Sequence, residues 1–114
     1  MFNIRELDVH ELNEMRESGK DLILLDVRTP QEVAQGIIPG ATHLPLHLLP
    51  LQLKQLDRQQ EVIFYCRTGA RSAQACAFCQ NQGSDNVLNL RGGIVAWARA
   101  GYPIGEMTNQ ELTF

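Results

Sequence analysis

Short apolar runs alternate with amphipathic stretches along this 114-residue chain, and that alternation predicts a three-layer α/β fold with a mainly parallel central sheet flanked by helices. Two runs carry the argument. Leu22-Ile23-Leu24-Leu25 and Val62-Ile63-Phe64-Tyr65 are apolar at every position rather than every second one, as strands covered on both faces must be. The length suits one domain with one core, expected over residues 1–104, with 105–114 as a C-terminal tail.

Each element has a local reason. Asn3 to Leu7 reads as a short first strand, and Asp8 with Glu11 three positions on forms a capping box that opens a helix running to Ser18-Gly19. Leu22 to Asp26 is the second strand, and its carboxyl end delivers Asp26 and Arg28. Thr29-Pro30-Gln31-Glu32 starts a short second helix, with proline at the first helical position and glutamate at the third, and Gly36 stops it. Pro39-Gly40 is turn chemistry before a brief strand at Ala41 to Leu44. Leu46 to Leu56 is leucine-rich and expected to be helical beyond Pro50. Glu61 to Cys66 is a β-branched and aromatic strand that ends on a cysteine. Arg67 to Arg71 is polar and short, hence a loop, and Ser72 to Gln82 has helix-forming composition closed by Gly83. Asn86 to Leu90 is the last strand, Gly92-Gly93 a turn, and Ile94 to Ala100 a short helix ended by Gly101 and Pro103.

Composition narrows the function classes. A hydrophobic content of 44% and a charged content of 20% are those of an ordinary globular domain. With a net charge of -3 and no run of Lys or Arg, the charge pattern offers nothing to a nucleic acid or an anionic membrane. Any anion must be met by a local site. No apolar stretch is long enough to span a bilayer, and Met1 to Glu6 has neither the basic head nor the apolar run of a secretory signal, so a cytoplasmic location is expected. Three cysteines, Cys66, Cys76 and Cys79, are an odd number, which argues against a disulfide framework and for a free thiol.

Cys66 is the candidate nucleophile. Ligands of open α/β sheets collect at the carboxyl ends of strands, where loops lead into helix amino termini, and Cys66 stands at such an end. A thiolate is a far better nucleophile than a thiol, and free main-chain N–H groups with neighbouring guanidinium groups favour the thiolate. Arg67 and Arg71 bracket the loop, and Gly69 allows the positive φ that a cradle of inward-pointing amides needs. The expected chemistry is attack by sulfur on an anionic substrate. The structural alternative is a buried strand-end cysteine beside two solvated arginines.

Four ordered segments resemble the motifs of the rhodanese family of sulfurtransferases. They are Asp26-Val27-Arg28-Thr29-Pro30-Gln31-Glu32, Gly36-Ile37-Ile38-Pro39-Gly40-Ala41, Cys66-Arg67-Thr68-Gly69-Ala70-Arg71-Ser72, and Leu90-Arg91-Gly92-Gly93-Ile94-Val95-Ala96-Trp97 with Ala100-Gly101-Tyr102-Pro103. The resemblance implies a rhodanese-like fold, no metal or organic cofactor, and Cys66 as the catalytic residue that accepts a sulfane sulfur from thiosulfate or a similar small anionic donor. A thiol, cyanide or a protein would be the acceptor. It implies that Arg67, Thr68, Gly69, Ala70, Arg71 and Ser72 bind the substrate, with Asp26 and Arg28 in support. Two alternatives stand beside it: a non-catalytic rhodanese-like binding module, and a cysteine-dependent phosphatase or arsenate reductase. Related phosphatases use a loop one residue longer, and the four residues Arg67 to Ala70 before Arg71 favour sulfur over phosphate. The chain departs from the family pattern at Ile37, commonly His, and at His43, often Asn.

Other residues have structural readings. Arg28 and Glu32, four apart at a helix start, are expected to form an ion pair, and Asp26 to be a buried carboxylate paired with Arg28 or capping the turn. Cys76 and Cys79 lie inside a helix, too far from its start for the dipole that lowers a redox thiol's pKa, and read as small core residues. His10, His43 and His47 are too scattered for a metal site. Trp97 is expected to close the last helix onto the sheet. Seven leucines between Leu44 and Leu56 either cover the sheet or leave an apolar patch for a partner, and the protein is expected to be a monomer or a weak homodimer.

Overall fold

A computed structural model describes residues 3–56 and 59–106. Five strands, β1 (Glu6–Leu7), β2 (Leu22–Asp26), β3 (Thr42–His43), β4 (Glu61–Tyr65) and β5 (Val87–Leu90), form one sheet in the order β1-β5-β4-β2-β3, and every pairing is parallel. Parallel neighbours need crossovers, which are supplied by the helices α1 (Val9–Glu17), α2 (Pro30–Val33), α3 (Leu49–Gln52) and α4 (Ala70–Asn81), while α5 (Gly93–Arg99) follows the last strand.

Strand β4 shows how the sheet is buried on both sides. Its Ile63 and Tyr65 enter one apolar cluster with Leu12, Leu90 and Trp97, and its Val62 and Phe64 enter another with Cys66, Cys76 and Cys79. Alternate residues thus face opposite layers, so neither face could be polar and the run reads as unbroken. The predicted capping box at Asp8 forms, and the helix start at Thr29 proves to be a second one. Asp8 accepts from the Glu11 N–H while Glu11 reaches back to the Asp8 N–H, and Thr29 and Glu32 do the same around Pro30.

Three expectations need correction. The fourth helix starts at Ala70, not Ser72, because Gly69 takes a left-handed φ of +113° and turns the chain into the helix two residues early, leaving Arg71 in the first turn rather than the loop. The leucine-rich segment is not one helix beyond Pro50. It is a 3₁₀ turn at Leu46–Leu48, then α3 with Pro50 inside its first turn, then a second 3₁₀ turn at Leu53–Gln55. Proline fits a first helical turn, where its missing N–H leaves no bond unmade. Leu44, Leu49 and Leu56 of this segment are buried, whereas Leu51 is 76% exposed. Lastly, Arg28 does not pair with the Glu32 carboxylate.

Arg28 instead turns inward on Asp26. Its Nη2 lies 2.7 Å from Asp26 Oδ2, its Nε 3.0 Å from Oδ1, and Nη2 also donates to the Gly36 carbonyl at 2.6 Å. Asp26 is fully buried and Arg28 nearly so. The pair ties the end of β2 to the turn after α2. His43 supports the same turn, since its Nε2 donates to the Arg28 carbonyl at 2.7 Å. Ile37 is fully buried and bridges Gly105, with its N–H 2.9 Å from the Gly105 carbonyl, so the segment expected to begin the tail is joined to the body there; residues 107–114 lie outside the described residues. Trp97 is buried and donates from Nε1 to the Pro103 carbonyl at 2.8 Å. No helix among the described residues is long and apolar enough to cross a membrane.

Removing one member of a buried ion pair leaves the other charge uncompensated. Asp26→Asn is expected to lower unfolding stability by about 3 kcal/mol, read from urea denaturation, with the midpoint shifted and the slope retained.

Candidate active site

The chain leaves β4 at Tyr65 and immediately places Cys66 at the carboxyl end of the central strand, 1% exposed. Its Sγ accepts a hydrogen bond from the Gly69 N–H at 3.1 Å, and the Ser72 Oγ lies 3.4 Å away. Main-chain N–H groups of Thr68 and Ser72 also converge on it. Burial pushes the Cys66 thiol up, but the Ser72 hydroxyl and the N–H groups of Ser72, Gly69 and Thr68 together outweigh burial and bring it below its ordinary value.

A loop can turn its N–H groups inward only if its carbonyls turn outward and find donors of their own. Those donors come from the start of α5. Ile94 N–H bonds the Cys66 carbonyl at 3.0 Å and Val95 N–H bonds the Arg67 carbonyl at 3.1 Å. The approach requires Gly93. Its φ is +59°, and a Cβ there would sit 2.4 Å from the Cys66 carbonyl oxygen and 2.5 Å from that of Arg67. The expectation of a simple Gly92-Gly93 turn therefore understated the second glycine, which is the seat of the loop.

Asn89, from β5, is a further residue that sequence reasoning missed. Its Nδ2 donates to the Gly69 carbonyl at 3.2 Å and to Glu6 Oε2 at 3.0 Å, which orients its Oδ1 to accept from the Ser72 hydroxyl at 2.5 Å. Ser72 and Asn89 are both buried. The single Ser72 hydroxyl proton cannot serve Asn89 and Sγ together. It stays with the amide oxygen while Cys66 is a neutral thiol and moves to the sulfur when the sulfur is charged, because an ionised acceptor makes the stronger bond. A polar residue in an otherwise apolar strand was the available sequence signal for Asn89.

The two arginines of the loop part company. Arg67 is exposed and has no ion-pair partner among the described residues, and it lines a hollow of about 270 Å³ with Arg28, Glu32 and Ile94. Arg71 is held by Glu32, with Nη1 to Oε1 at 2.6 Å and Nη2 to Oε2 at 2.8 Å. Arg71 lines a second, mostly apolar hollow of about 330 Å³ with Val27, Pro30 and Leu46. Arg28 borders both hollows while its head group stays on Asp26, and neither residue is among the hydrogen-bond donors to the sulfur. Cys76 and Cys79 are buried in the core, where burial pushes their thiols up to about 12 and about 11.

The converging donors stabilise negative charge on the Cys66 sulfur. Two outcomes follow. Ser72→Ala removes the side-chain donor and is expected to raise the Cys66 pKa, read as an upward shift in the pH profile of its alkylation by iodoacetamide. Gly93→Ala forces a left-handed backbone and a main-chain collision together, so a stability loss of about 2 kcal/mol or more in urea, with slower Cys66 alkylation at neutral pH, is expected.

Comparison with known proteins points the same way. The family model of the rhodanese-like domain matches residues 8–100. A sulfurtransferase of Allochromatium vinosum is 50% identical over 101 residues, which are 89% of this chain and 94% of that protein. The thiosulfate sulfurtransferase GlpE of Stutzerimonas stutzeri is 33% identical over 103 residues, which are 90% of this chain and 92% of that protein. Among solved structures, a rhodanese-related protein from Thermoplasma volcanium aligns with a TM-score of 0.79 at 32% identity, covering 89% of this chain and 97% of that one.

Proposed function

The chain belongs to the rhodanese-like sulfurtransferase family, and from that membership we propose that it transfers a sulfane sulfur from a small anionic donor such as thiosulfate to a thiophilic acceptor through a persulfide on Cys66. The observation that carries the reading is the Gly69 N–H aimed at Cys66 Sγ from 3.1 Å, with the Ser72 hydroxyl behind it. Binding modules need no ionised sulfur, and a buried structural cysteine has no use for converging amides.

The Cys66 thiolate attacks the outer sulfur of the donor, a new S–S bond forms at Sγ, the donor's own S–S bond breaks, and sulfite departs with the electron pair. An acceptor thiolate or cyanide then attacks the terminal sulfur of the persulfide, and the electron pair returns to Cys66. In both charged states the N–H groups from Arg67 to Ser72, with Gly69 foremost, stabilise the sulfur. Arg67 attracts and holds the anionic end of the donor, with Arg71, paired to Glu32, as the second cation of the site, while Thr68, Gly69 and Ala70 form the floor. The reaction so written needs no metal or organic cofactor. The acceptor is a small thiol or a protein that presents one.

Intact mass after incubation with thiosulfate is the deciding measurement. We expect the wild type to gain one sulfur, to lose it again on addition of cyanide, and Cys66→Ser to gain none. An unchanged wild-type mass across a panel of sulfane donors would instead favour a non-catalytic module.

A further inference from the structure

The loop offers two arginines to an anionic donor, yet one of them is already occupied. Both guanidinium nitrogens that Arg71 turns toward α2 are taken by the two Glu32 oxygens, a two-point match of a planar cation with a planar anion. Glu32 is built into place. Its backbone N–H and its Oε1 are both engaged with Thr29, so the capping box that starts α2 also fixes the carboxylate that faces Arg71. Arg71 holds the Glu32 carboxyl down to about 2, so Glu32 is charged at every pH at which Cys66 can react.

Arg67 brings one positive charge, and Arg71 and Glu32 cancel, so these three side chains carry a net of one positive charge rather than two. Glu32 also lines the hollow that holds Arg67, while Arg71 lines the apolar one, so the ion pair stands between the two. Besides Glu32, the negative groups that act on Arg71 are Cys66 and Asp26.

We propose that Glu32 is a specificity-determining residue that acts through Arg71: by masking that guanidinium it weakens the site for a doubly charged donor such as thiosulfate and leaves it suited to singly charged or uncharged organic sulfane donors, whose carbon portion the neighbouring apolar hollow accommodates. The proposal rests on the sulfurtransferase reading for its consequence but not for its electrostatics. Removing the mask should favour the dianion selectively.

Glu32→Gln is the test, because glutamine serves equally in a capping box and keeps the shape of the side chain. Two reagents of similar size report the charge at the mouth, the iodoacetate anion and neutral iodoacetamide, and their rate ratio at Cys66 cancels any change in thiolate fraction. We expect the ratio to rise about threefold to tenfold in Glu32→Gln, with the rate of sulfur loading from thiosulfate rising by a similar factor. Glu32→Asp, which keeps the charge, should leave the ratio near that of the wild type. An unchanged ratio in Glu32→Gln would overturn the proposal, as would a raised ratio with unchanged or slower loading from thiosulfate, since Glu32 would then position Arg71 rather than mask it. If neither protein takes sulfur from any donor while the ratio still rises, the masking stands and the sulfurtransferase reading falls.

Discussion

The site depends on a main-chain constraint: the carbonyls of Cys66 and Arg67 are drawn outward by the first N–H groups of α5, and only then do the following N–H groups turn in upon the sulfur. Everything around the loop serves that inversion. Gly93 lets α5 come close enough, Gly69 reverses the chain into α4, and Asn89 receives the Ser72 hydroxyl while gripping the Gly69 carbonyl. Strands β4 and β5 lie side by side in the sheet, so the cysteine at the end of one and the glycines after the other meet without a long loop. The parallel order of the sheet is therefore what assembles the cradle.

Much of this was legible because it is written locally. Unbroken apolar runs betray strands buried on both faces, and Asp8 with Glu11 and Thr29 with Glu32 announce helix starts through bonds that span only a few residues. The nucleophile was legible for the same reason, as a cysteine at a strand end before a glycine-bearing loop. Contacts between distant segments were not. Arg71 and Glu32 are 39 positions apart, and spacing along a helix pointed to Arg28 as the partner of Glu32 instead. Arg28 is drawn away because a fully buried Asp26 two residues earlier needs a cation more than a half-buried glutamate does. The early start of α4 was hidden for another reason. Arg71 looks like a loop residue by polarity, and only the left-handed turn at Gly69 puts it in a helix.

The departures from the family pattern find structural uses. His43 donates to the main chain of Arg28 and steadies the turn that carries it, and Ile37 is buried and bridges Gly105. Neither touches the sulfur. The Leu44 to Leu56 segment likewise resolves into sheet coverage by Leu44, Leu49 and Leu56, with Leu51 left facing solvent. The differences thus fall on parts that hold the site's surroundings, and the loop sequence that forms the cradle matches the family motif from Cys66 to Ser72.

The three cysteines supply an internal control on why one thiol differs. All three are buried and share one apolar cluster, so burial acts upward on each of them. Cys76 and Cys79 stay high because they sit within α4, where the main-chain N–H groups are already committed to helical bonds and none is left to face a sulfur. Cys66 precedes that helix, at the one place where N–H groups lack partners within it. The first-turn amides of α4 and those of the loop are free to choose an acceptor, and the sulfur is the acceptor within reach. Low exposure then ceases to be an objection to reactivity. A buried sulfur surrounded by fixed donors regains from them what it loses by leaving water, whereas a buried sulfur without them stays a thiol near neutral pH.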